Sequence, residues 1–314
     1  MGISSGRKLV YRYHSVRHSD QRRHPIARAR ETNGAAEGSG KMGCALVTGA
    51  SGGIGAELCR LLATDGHDLV LVARSEERLA SFAEELARDY GIRAVPLACD
   101  LTQEDAAVVL HQATSDAGIV VDTLANDAGF GCHGAFLESD WERQRQLIQV
   151  NVIALTQLSY LYGIDMLGRG HGRILNVASA AAFGPGPYMG GYYASKAWVL
   201  SLSQALSAEL RGTGVTVTAL CPGPTATRFE ETADLEGSRM FSHFGVQSAR
   251  SVAKRGYRAM MAGRAVAYHS PITHVFNIGS RLAPRAVVTR AVEWVNGKPA
   301  RQPVTDRGTI DRRP

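Results

Sequence analysis

A short apolar strand runs directly into a glycine-rich turn and then an amphipathic helix. Residues 44–48 are apolar or small, residues 49–55 contain four glycines, and Leu58, Leu61 and Leu62 have the spacing of a helix core face. Glycines let a backbone approach a ligand closely, and free amides at a helix N-terminus attract an anion. This order of elements predicts a phosphate cradle within a parallel α/β sheet.

The same alternation of apolar strand and helical pattern continues along the chain. Strands are predicted at 44–48, 68–73, 94–99, 121–125, 172–178, 215–220 and 265–268. The pattern predicts an α/β fold, a Rossmann-like doubly wound parallel sheet of about seven strands in the order 3-2-1-4-5-6-7, with helices on both faces. Ligands of such sheets bind beyond the carboxyl ends of the strands.

The net charge of +6 is confined to the first 41 residues. They hold nine Lys or Arg and three acids, so the chain from Met42 onward is neutral and does not predict a nucleic-acid surface. Their composition predicts disorder. Three readings stay open for residues 1–41: a transit-peptide-like segment, a basic arm for polyanions, or an extension preceding a natural start at Met42.

Cysteine usage and hydropathy indicate the compartment. The five cysteines form no Cys-x-x-Cys pair and have no histidine cluster nearby, which favours reduced thiols over disulfides or a metal site. No apolar run approaches the ~18–20 residues needed to span a bilayer. We therefore expect a cytoplasmic protein with no transmembrane segment and no metal.

The end of the second predicted strand indicates the cofactor. A dinucleotide-binding unit meets the adenosine ribose there, and an acid at that point favours NAD. This chain has Ala73 followed by Arg74, whose guanidinium suits a 2′-phosphate. We predict NADP(H), with NAD(H) still possible, and the alternative for Arg74 is an ordinary surface charge. Asp100, after the third strand, is placed to bind adenine.

Tyr192 and Lys196 are one helical turn apart. An ammonium beside a phenol lowers the phenol pKa from about 10, which would make a proton donor and acceptor. The plainer alternative is a half-buried helix face. Tyr193 has nearly the same spacing from Lys196, so the spacing alone leaves the choice between the tyrosines open.

Several motifs together resemble the short-chain dehydrogenases/reductases, in their single-domain branch, over residues 44–268. They are Thr48-Gly-x-x-x-Gly-x-Gly55, Asn126-x-Ala-Gly129, Asn151, Ser179, Tyr192-x-x-x-Lys196 and Pro222-Gly223, in the family's order and spacing. The resemblance implies an NADP(H)-dependent oxidoreductase that interconverts a small-molecule ketone or aldehyde with an alcohol. It also implies a homodimer or homotetramer assembled through the long helices near 141–167 and 192–211.

The resemblance also implies residue roles. Tyr192 would be the general acid/base, Lys196 would hold the nicotinamide ribose and lower the tyrosine pKa, Ser179 would bind the substrate oxygen, and Asn151 would keep a water linked to Lys196. The family spacing selects Tyr192 over Tyr193, because the serine stands thirteen positions earlier. The cofactor would contact Gly49, Ser51, Gly52, Gly53, Ile54, Gly55, Arg74, Asp100, Leu101, Asn126, Ala128, Gly129, Tyr192, Lys196, Pro222, Gly223, Thr225 and Thr227.

One position departs from the family pattern: Asp127 stands where members usually carry Asn or Ala. Beyond residue 264 the chain is similar to bacterial reductases of the long-chain 3-ketoacyl and 17-beta-hydroxysteroid type, which implies a hydrophobic substrate. We expect a single domain at 42–296, a substrate lid at about 224–248 with interspersed aromatic residues, and a polar tail at 297–314.

Two other functions stay open. One is a catalytically idle NADP-binding protein that regulates a partner. The other is a nucleotide-sugar epimerase or dehydratase on a related fold, which the glycine spacing and the short carboxyl-terminal region disfavour.

Overall fold

The computed structural model describes residues 43–226 and 246–297, all within one compact unit, Ala35–Pro314. The predicted extension at 1–41, the central part of the predicted lid with Thr227, and the tail beyond Gly297 lie outside the described residues.

Seven strands form one sheet in the order β3-β2-β1-β4-β5-β6-β9, and every neighbouring pair is parallel. They are β1 Cys44–Thr48, β2 Asp68–Ala73, β3 Ala94–Ala98, β4 Val121–Asn126, β5 Gly172–Val177, β6 Val215–Cys221 and β9 Val266–Tyr268. The predicted doubly wound sheet and its strand order are confirmed. A separate parallel pair, β7 Thr225–Ala226 with β8 Gln247–Ser248, joins the two flanks of the predicted lid.

Helices follow the strands on both faces. They are α1 Gly53–Thr64, α2 Glu76–Tyr90, α3 Ala106–Asp116, α4 Trp141–Ile148, α5 Leu155–Arg169, α6 Gly190–Glu209, α7 Ala249–Met261, α8 Pro271–Leu282 and α9 Arg285–Asn296. Short 3-10 turns at Phe136–Glu138 and Ala180–Phe183 complete the connections.

The central strands are buried on both faces because helices cover the whole sheet. Leu46 of β1 and Leu71 of β2 are fully buried, as are Leu58 and Leu62 of α1. Each such leucine contributes about 1.5–3 kcal/mol relative to an exposed one. This packing holds the carboxyl ends of the strands, where the candidate site lies, on a rigid base.

The predicted long helix near 141–167 is present but not uniform. A π turn at Gln149–Ala154 separates α4 from α5. The whole span Trp141–Arg169 is long and apolar enough to cross a membrane by length and composition, although the sequence was expected to hold no such segment. Half of its most apolar 18-residue stretch is buried, and α5 packs on β4 and β5. A helix of the protein core has these contacts.

The predicted helical region at 272–295 consists of two helices. Ser270 caps α8 by accepting a hydrogen bond from Thr273 N at 3.2 Å, and Pro271 occupies the first turn, where its missing N–H costs nothing. Pro284 lies between α8 and α9, since proline disfavours a helical conformation of the residue before it. Both helices return to the carboxyl end of the sheet.

Candidate active site

A cavity of about 1180 Å³ lies beyond the carboxyl ends of the strands. The structure brings most of the predicted site residues to its wall. They are Gly49, Ser51, Gly52, Gly53, Ile54, Arg74, Asp100, Leu101, Ala128, Gly129, Ser179, Tyr192, Lys196, Pro222, Gly223 and Thr225. Gly55, Asn126 and Asn151 are buried and do not line the cavity.

The turn between β1 and α1 has the features of a phosphate cradle. Gly49 and Gly53 have φ angles of 73° and 57°, which other residues adopt at a cost. An alanine Cβ at Gly55 would lie 2.5 Å from Gly49 O, so only glycine fits there. No side chain caps the N-terminus of α1, and its first turn holds no acid. These residues fit the pyrophosphate of a dinucleotide, because an anion would meet backbone amides with no acid in the first helical turn.

The end of β2 presents two guanidinium groups at the cavity. Arg74 and Arg78 are both exposed and both line it, with Ser75 between them. Ser75 Oγ accepts a 3.5 Å hydrogen bond from Arg78 N and so begins α2. The sequence reasoning missed Arg78. Arg78 stands four residues after Arg74, in the first turn of a helix that Ser75 caps, and this spacing in the sequence could have identified it.

The start of α6 carries Tyr192 and Lys196, both buried. The Tyr192 hydroxyl hydrogen-bonds the Ser179 side chain, which follows the end of β5. Lys196 Nζ donates a 2.7 Å hydrogen bond to Val177 O and lies 5.8 Å from the centre of the Tyr192 ring. Tyrosine, serine and lysine therefore meet on one side of the cavity.

The expectation of a lowered Tyr192 pKa is wrong for this structure. Burial raises the pKa of Tyr192 to about 12, although the hydrogen bond from Ser179 acts in the opposite direction. Burial also lowers the pKa of Lys196 to about 8, so desolvation outweighs pairing at both groups. The reason is geometric: the ammonium donates to the Val177 carbonyl rather than to the phenol.

Asn151 lies in the π turn between α4 and α5 and is fully buried. Its Oδ1 accepts from Phe130 N at 3.1 Å, while its Nδ2 donates to Phe130 O at 2.9 Å and Ser195 Oγ at 3.1 Å. The side chain thus fixes the loop after β4 against α6. The predicted water between Asn151 and Lys196 stays a prediction.

Asn126, at the end of β4, belongs to a buried polar network inside the fold. Its Nδ2 donates to Ser159 Oγ at 3.1 Å and to Asn176 Oδ1 at 2.9 Å. Asn176 in turn donates to Ser203 Oγ on α6 at 3.0 Å. The network therefore ties β4, β5, α5 and α6 together, and the predicted contact of Asn126 with the cofactor stays a prediction.

The family model described as short chain dehydrogenase matches residues 43–236. The chain belongs to this family. It is 30% identical over 182 residues to a 7beta-hydroxysteroid dehydrogenase from Collinsella aerofaciens, covering 58% of this chain and 68% of that protein. It is 38% identical over 186 residues to a galactitol 2-dehydrogenase (L-tagatose-forming) from Cereibacter sphaeroides, covering 59% and 72%.

A solved structure supports the same assignment. The short-chain dehydrogenase from Sphingobium yanoikuyae in complex with NADPH superposes with a TM-score of 0.69 at 30% identity, covering 76% of this chain and 94% of that one. This short-chain dehydrogenase is therefore an oxidoreductase of alcohol and carbonyl groups that uses a nicotinamide cofactor. The relatives include a steroid dehydrogenase and a sugar-alcohol dehydrogenase, so family membership alone leaves the substrate open.

The part of the cavity wall formed largely by α8 and α9 is mainly apolar in this short-chain dehydrogenase. Phe130, Met189, Val275, Phe276, Val292 and Val295 line it. Four of the six come from α8 and α9, which lie outside the family-model match. Arg143 also lines the cavity, with its guanidinium carbon 4.1 Å from the centre of the Phe130 ring.

The last turn of α9 is bonded to the segment that precedes α6. Asn296 is fully buried, accepts from Tyr193 Oη at 2.9 Å, and donates to Pro187 O at 2.8 Å. Tyr188, next in the chain, has a φ of 64°, which is unfavourable for a tyrosine. The Tyr193 and Tyr192 hydroxyls therefore have different partners, Asn296 and Ser179.

Proposed function

We propose that this short-chain dehydrogenase is an NADP(H)-dependent oxidoreductase that interconverts an apolar ketone or aldehyde with its alcohol. The observation that carries the proposal is the Tyr192–Ser179 hydrogen bond beside a cavity whose wall includes a phosphate cradle and a mainly apolar part. The pair supplies a proton donor next to the place where a carbonyl oxygen would lie.

Each residue of the site has its own role in the proposed reaction. The nicotinamide, when bound, supplies or accepts a hydride. Tyr192 gives a proton to the substrate oxygen in reduction and takes it back in oxidation, and Ser179 donates a hydrogen bond to the same oxygen. Lys196, held by Val177 O, orients the nicotinamide ribose and contributes a positive charge. Asn151 keeps the Phe130 loop and α6 in register and supports a water path to Lys196.

The NADP(H) preference rests on the end of β2. Position 73, where an acid would favour NAD(H), is an alanine. The cavity there is lined instead by two cations and a hydroxyl, from Arg74, Arg78 and Ser75. Guanidinium groups bind phosphates through paired hydrogen bonds. The carboxylate that would favour NAD(H) by accepting from a ribose 2′-hydroxyl is missing from this point of the sequence.

The substrate class follows from the wall formed by α8 and α9. Val275, Phe276, Val292 and Val295 present hydrocarbon to the cavity, which favours a bulky apolar substrate over a sugar. The sequence similarity to a 7beta-hydroxysteroid dehydrogenase supports an apolar substrate, whereas the similarity to a galactitol 2-dehydrogenase supports the competing class, a sugar alcohol.

The proposal is tested by following NADPH consumption with a graded panel of alicyclic ketones, long-chain ketones and keto-sugars. Turnover that rises with apolar surface supports it. Preference for keto-sugars would contradict the substrate class. NADPH binding without consumption of any panel member would favour the idle regulatory protein instead.

We also propose a homodimer or homotetramer assembled through α5 and α6. Tyr160, Ile164 and Leu167 of α5 and Trp198 of α6 are exposed apolar residues on these two helices. Trp198 Nε1 donates to Thr156 Oγ1 at 3.0 Å, so the two helices are also bonded to each other. Ile164→Glu should reduce the mass measured by light scattering, while the control Val120→Glu, also at an exposed apolar position, should not.

The compartment and the domain limits are further proposals. All five cysteines lie in the described ranges and none of them forms a disulfide there, which favours a cytoplasmic protein. We propose that residues 42–296 form the working domain, with a substrate lid at about 224–248, between a basic extension at 1–41 and a polar tail at 297–314. A chain beginning at Met42 should keep its activity and thermal stability, and a loss of either would assign the preceding segment a role.

A further inference from the structure

Asp127 follows β4 directly and places a carboxylate beneath the phosphate cradle. A Cβ added to Gly55 would lie 2.8 Å from Asp127 Oδ2, and one added to Gly49 would lie 3.1 Å from it. The Gly55 backbone N–H donates to the carboxylate, and Thr48 Oγ1 accepts from Asp127 N at 3.1 Å. The carboxylate therefore touches both ends of the loop that would receive a pyrophosphate.

The Asp127 carboxylate also interacts electrostatically with Lys196 on α6. Lys196 favours its ionised form, and Asp127 in turn raises the pKa of Lys196, opposing the effect of burial. The other titratable groups that feel Asp127 are Tyr192 on α6 and Cys59 on α1, and burial raises both of their pKa values. Near neutral pH those two groups are uncharged, so Lys196 is the charge that balances Asp127.

Burial dominates at Asp127 itself. Although the residue as a whole is only partly buried, its carboxylate is desolvated, which raises its pKa to about 7. An added negative charge on the adjacent loop would favour the protonated carboxyl further, because like charges at close range do not both stay ionised. Asparagine, which the family usually carries here, has no proton to gain.

We propose that Asp127 is a positioning residue, and that its carboxylate takes up a proton from solvent when a dinucleotide binds at the Gly49–Gly55 loop. Because this proton cancels the negative charge that balances Lys196, occupancy of the loop is linked to the charge balance at Lys196. The proton forms an O–H bond on Asp127, and no other bond changes. Protonation removes the repulsion toward the pyrophosphate and leaves Lys196 as an unbalanced cation in the site. The inference rests on the proposed cofactor function.

Reciprocity gives the direction of the pH effect. If the dinucleotide favours the protonated carboxyl, protons favour dinucleotide binding. Affinity should therefore fall as the pH rises through about 7, by at most about tenfold per pH unit for one linked proton. A purely structural Asp127 would produce no such dependence.

The test is calorimetric titration of the full-length protein with NADPH at pH 7 in two buffers of different ionisation enthalpy, which counts the protons taken up. The wild type should take up more protons than Asp127→Asn, whose NADPH affinity should change less between pH 6 and 8. The 2′-phosphate of NADPH contributes equally to both titrations. Because Asp127→Asn also removes the charge that raises the pKa of Lys196, the same comparison is repeated in Lys196→Arg, whose side chain stays charged. Glu84→Gln removes an exposed carboxylate of α2 that does not line the cavity and should retain the wild-type proton count.

Each outcome of these titrations either supports or overturns the role of Asp127. Equal proton uptake by the wild type and Asp127→Asn, both folded by circular dichroism, overturns the inference while leaving the cofactor function intact. If Asp127→Asn does not fold, Asp127→Ala is measured in the same way, since the family also carries alanine here. No NADPH binding by the folded wild type overturns the proposed function and this inference with it.

Discussion

Tyr193 Oη donates a 2.9 Å hydrogen bond to Asn296 Oδ1, which lies 103 residues later in the chain. The bond joins the residue next to the proposed general acid to the last turn of the helix that walls the cavity. The two adjacent tyrosines, which sequence spacing barely separates, therefore serve different ends: Tyr192 faces Ser179, and Tyr193 holds α9.

Exchanging each tyrosine for phenylalanine separates these roles. Tyr192→Phe should lower kcat by about 10²–10⁴, because it removes a general acid, and leave NADPH affinity unchanged. Tyr193→Phe should keep kcat within a few-fold, lower the free energy of unfolding by about 1–3 kcal/mol because Asn296 Oδ1 loses a donor, and raise KM for bulky ketones. Steady-state kinetics and thermal denaturation measure these effects. The reverse ranking of kcat would contradict the assignment of Tyr192.

Cofactor preference should depend on Arg74 and Arg78. Replacing either by alanine removes charge-assisted hydrogen bonds worth about 1.5–3 kcal/mol, which corresponds to about a 10–100-fold loss of kcat/KM for NADPH. The value for NADH should change little. Arg88→Ala, an exposed change in the last turn of the same helix, is the control. Unchanged discrimination in both cavity variants would reject the proposed 2′-phosphate site.

Gly55 should not tolerate even one methyl group. In Gly55→Ala the Cβ would meet Gly49 O at 2.5 Å, so the cradle must shift and NADPH affinity should fall at least about tenfold. Gly168→Ala is the matched control, because it lies in a helix with nothing within 4 Å of the added Cβ. That change should be neutral or stabilise by up to about 1 kcal/mol. Fluorescence titration with NADPH and thermal melts compare the two, and equal affinities would show that the cradle is not the binding loop.

The alkaline limb of the pH profile should report Lys196. Burial lowers its pKa to about 8, so the ammonium form is complete well below pH 8 and is lost as the pH rises through that value. We expect kcat/KM for NADPH, which reports the free enzyme, to show a second decline above about pH 8, after the decline through about pH 7 that Asp127 produces.

Two variants should move this limb in opposite directions. Asp127→Asn removes the carboxylate that raises the Lys196 pKa, so the limb should move to lower pH. Lys196→Arg keeps its charge at all working pH values, so the limb should move upward even if turnover drops. A profile that stays flat to pH 10 in the wild type would exclude Lys196 as its origin.

The sheet was predictable because its signals are local and repeated. Each central strand is a short apolar run, and Thr48, Arg74, Asp100, Asn126 and Ser179 come at or just after strand ends. In a parallel sheet the strand ends share one edge, so linear spacing translates directly into the position of the cavity.

Other features depend on tertiary surroundings and left no local pattern. The π turn around Asn151 interrupts no apolar periodicity, and the two-residue strands β7 and β8 are too short to alternate. The predicted pKa shift of Tyr192 was wrong because spacing reveals a nearby lysine but neither its burial nor its bond to Val177 O. The Asn296 contact with Tyr193 spans the chain, and the sequence alone gives no reason to pair them.

The helices α8 and α9 have a consequence for how this enzyme changes over time. The side chains proposed to transfer the proton lie within residues 43–236, which match the family model, whereas much of the hydrocarbon wall comes from 271–296. Mutation can therefore remodel the substrate end of the cavity while the catalytic end stays fixed. Replacing 271–296 by the matching segment of a relative, with Asn296 kept, is therefore a route to new specificity on an unchanged catalytic base.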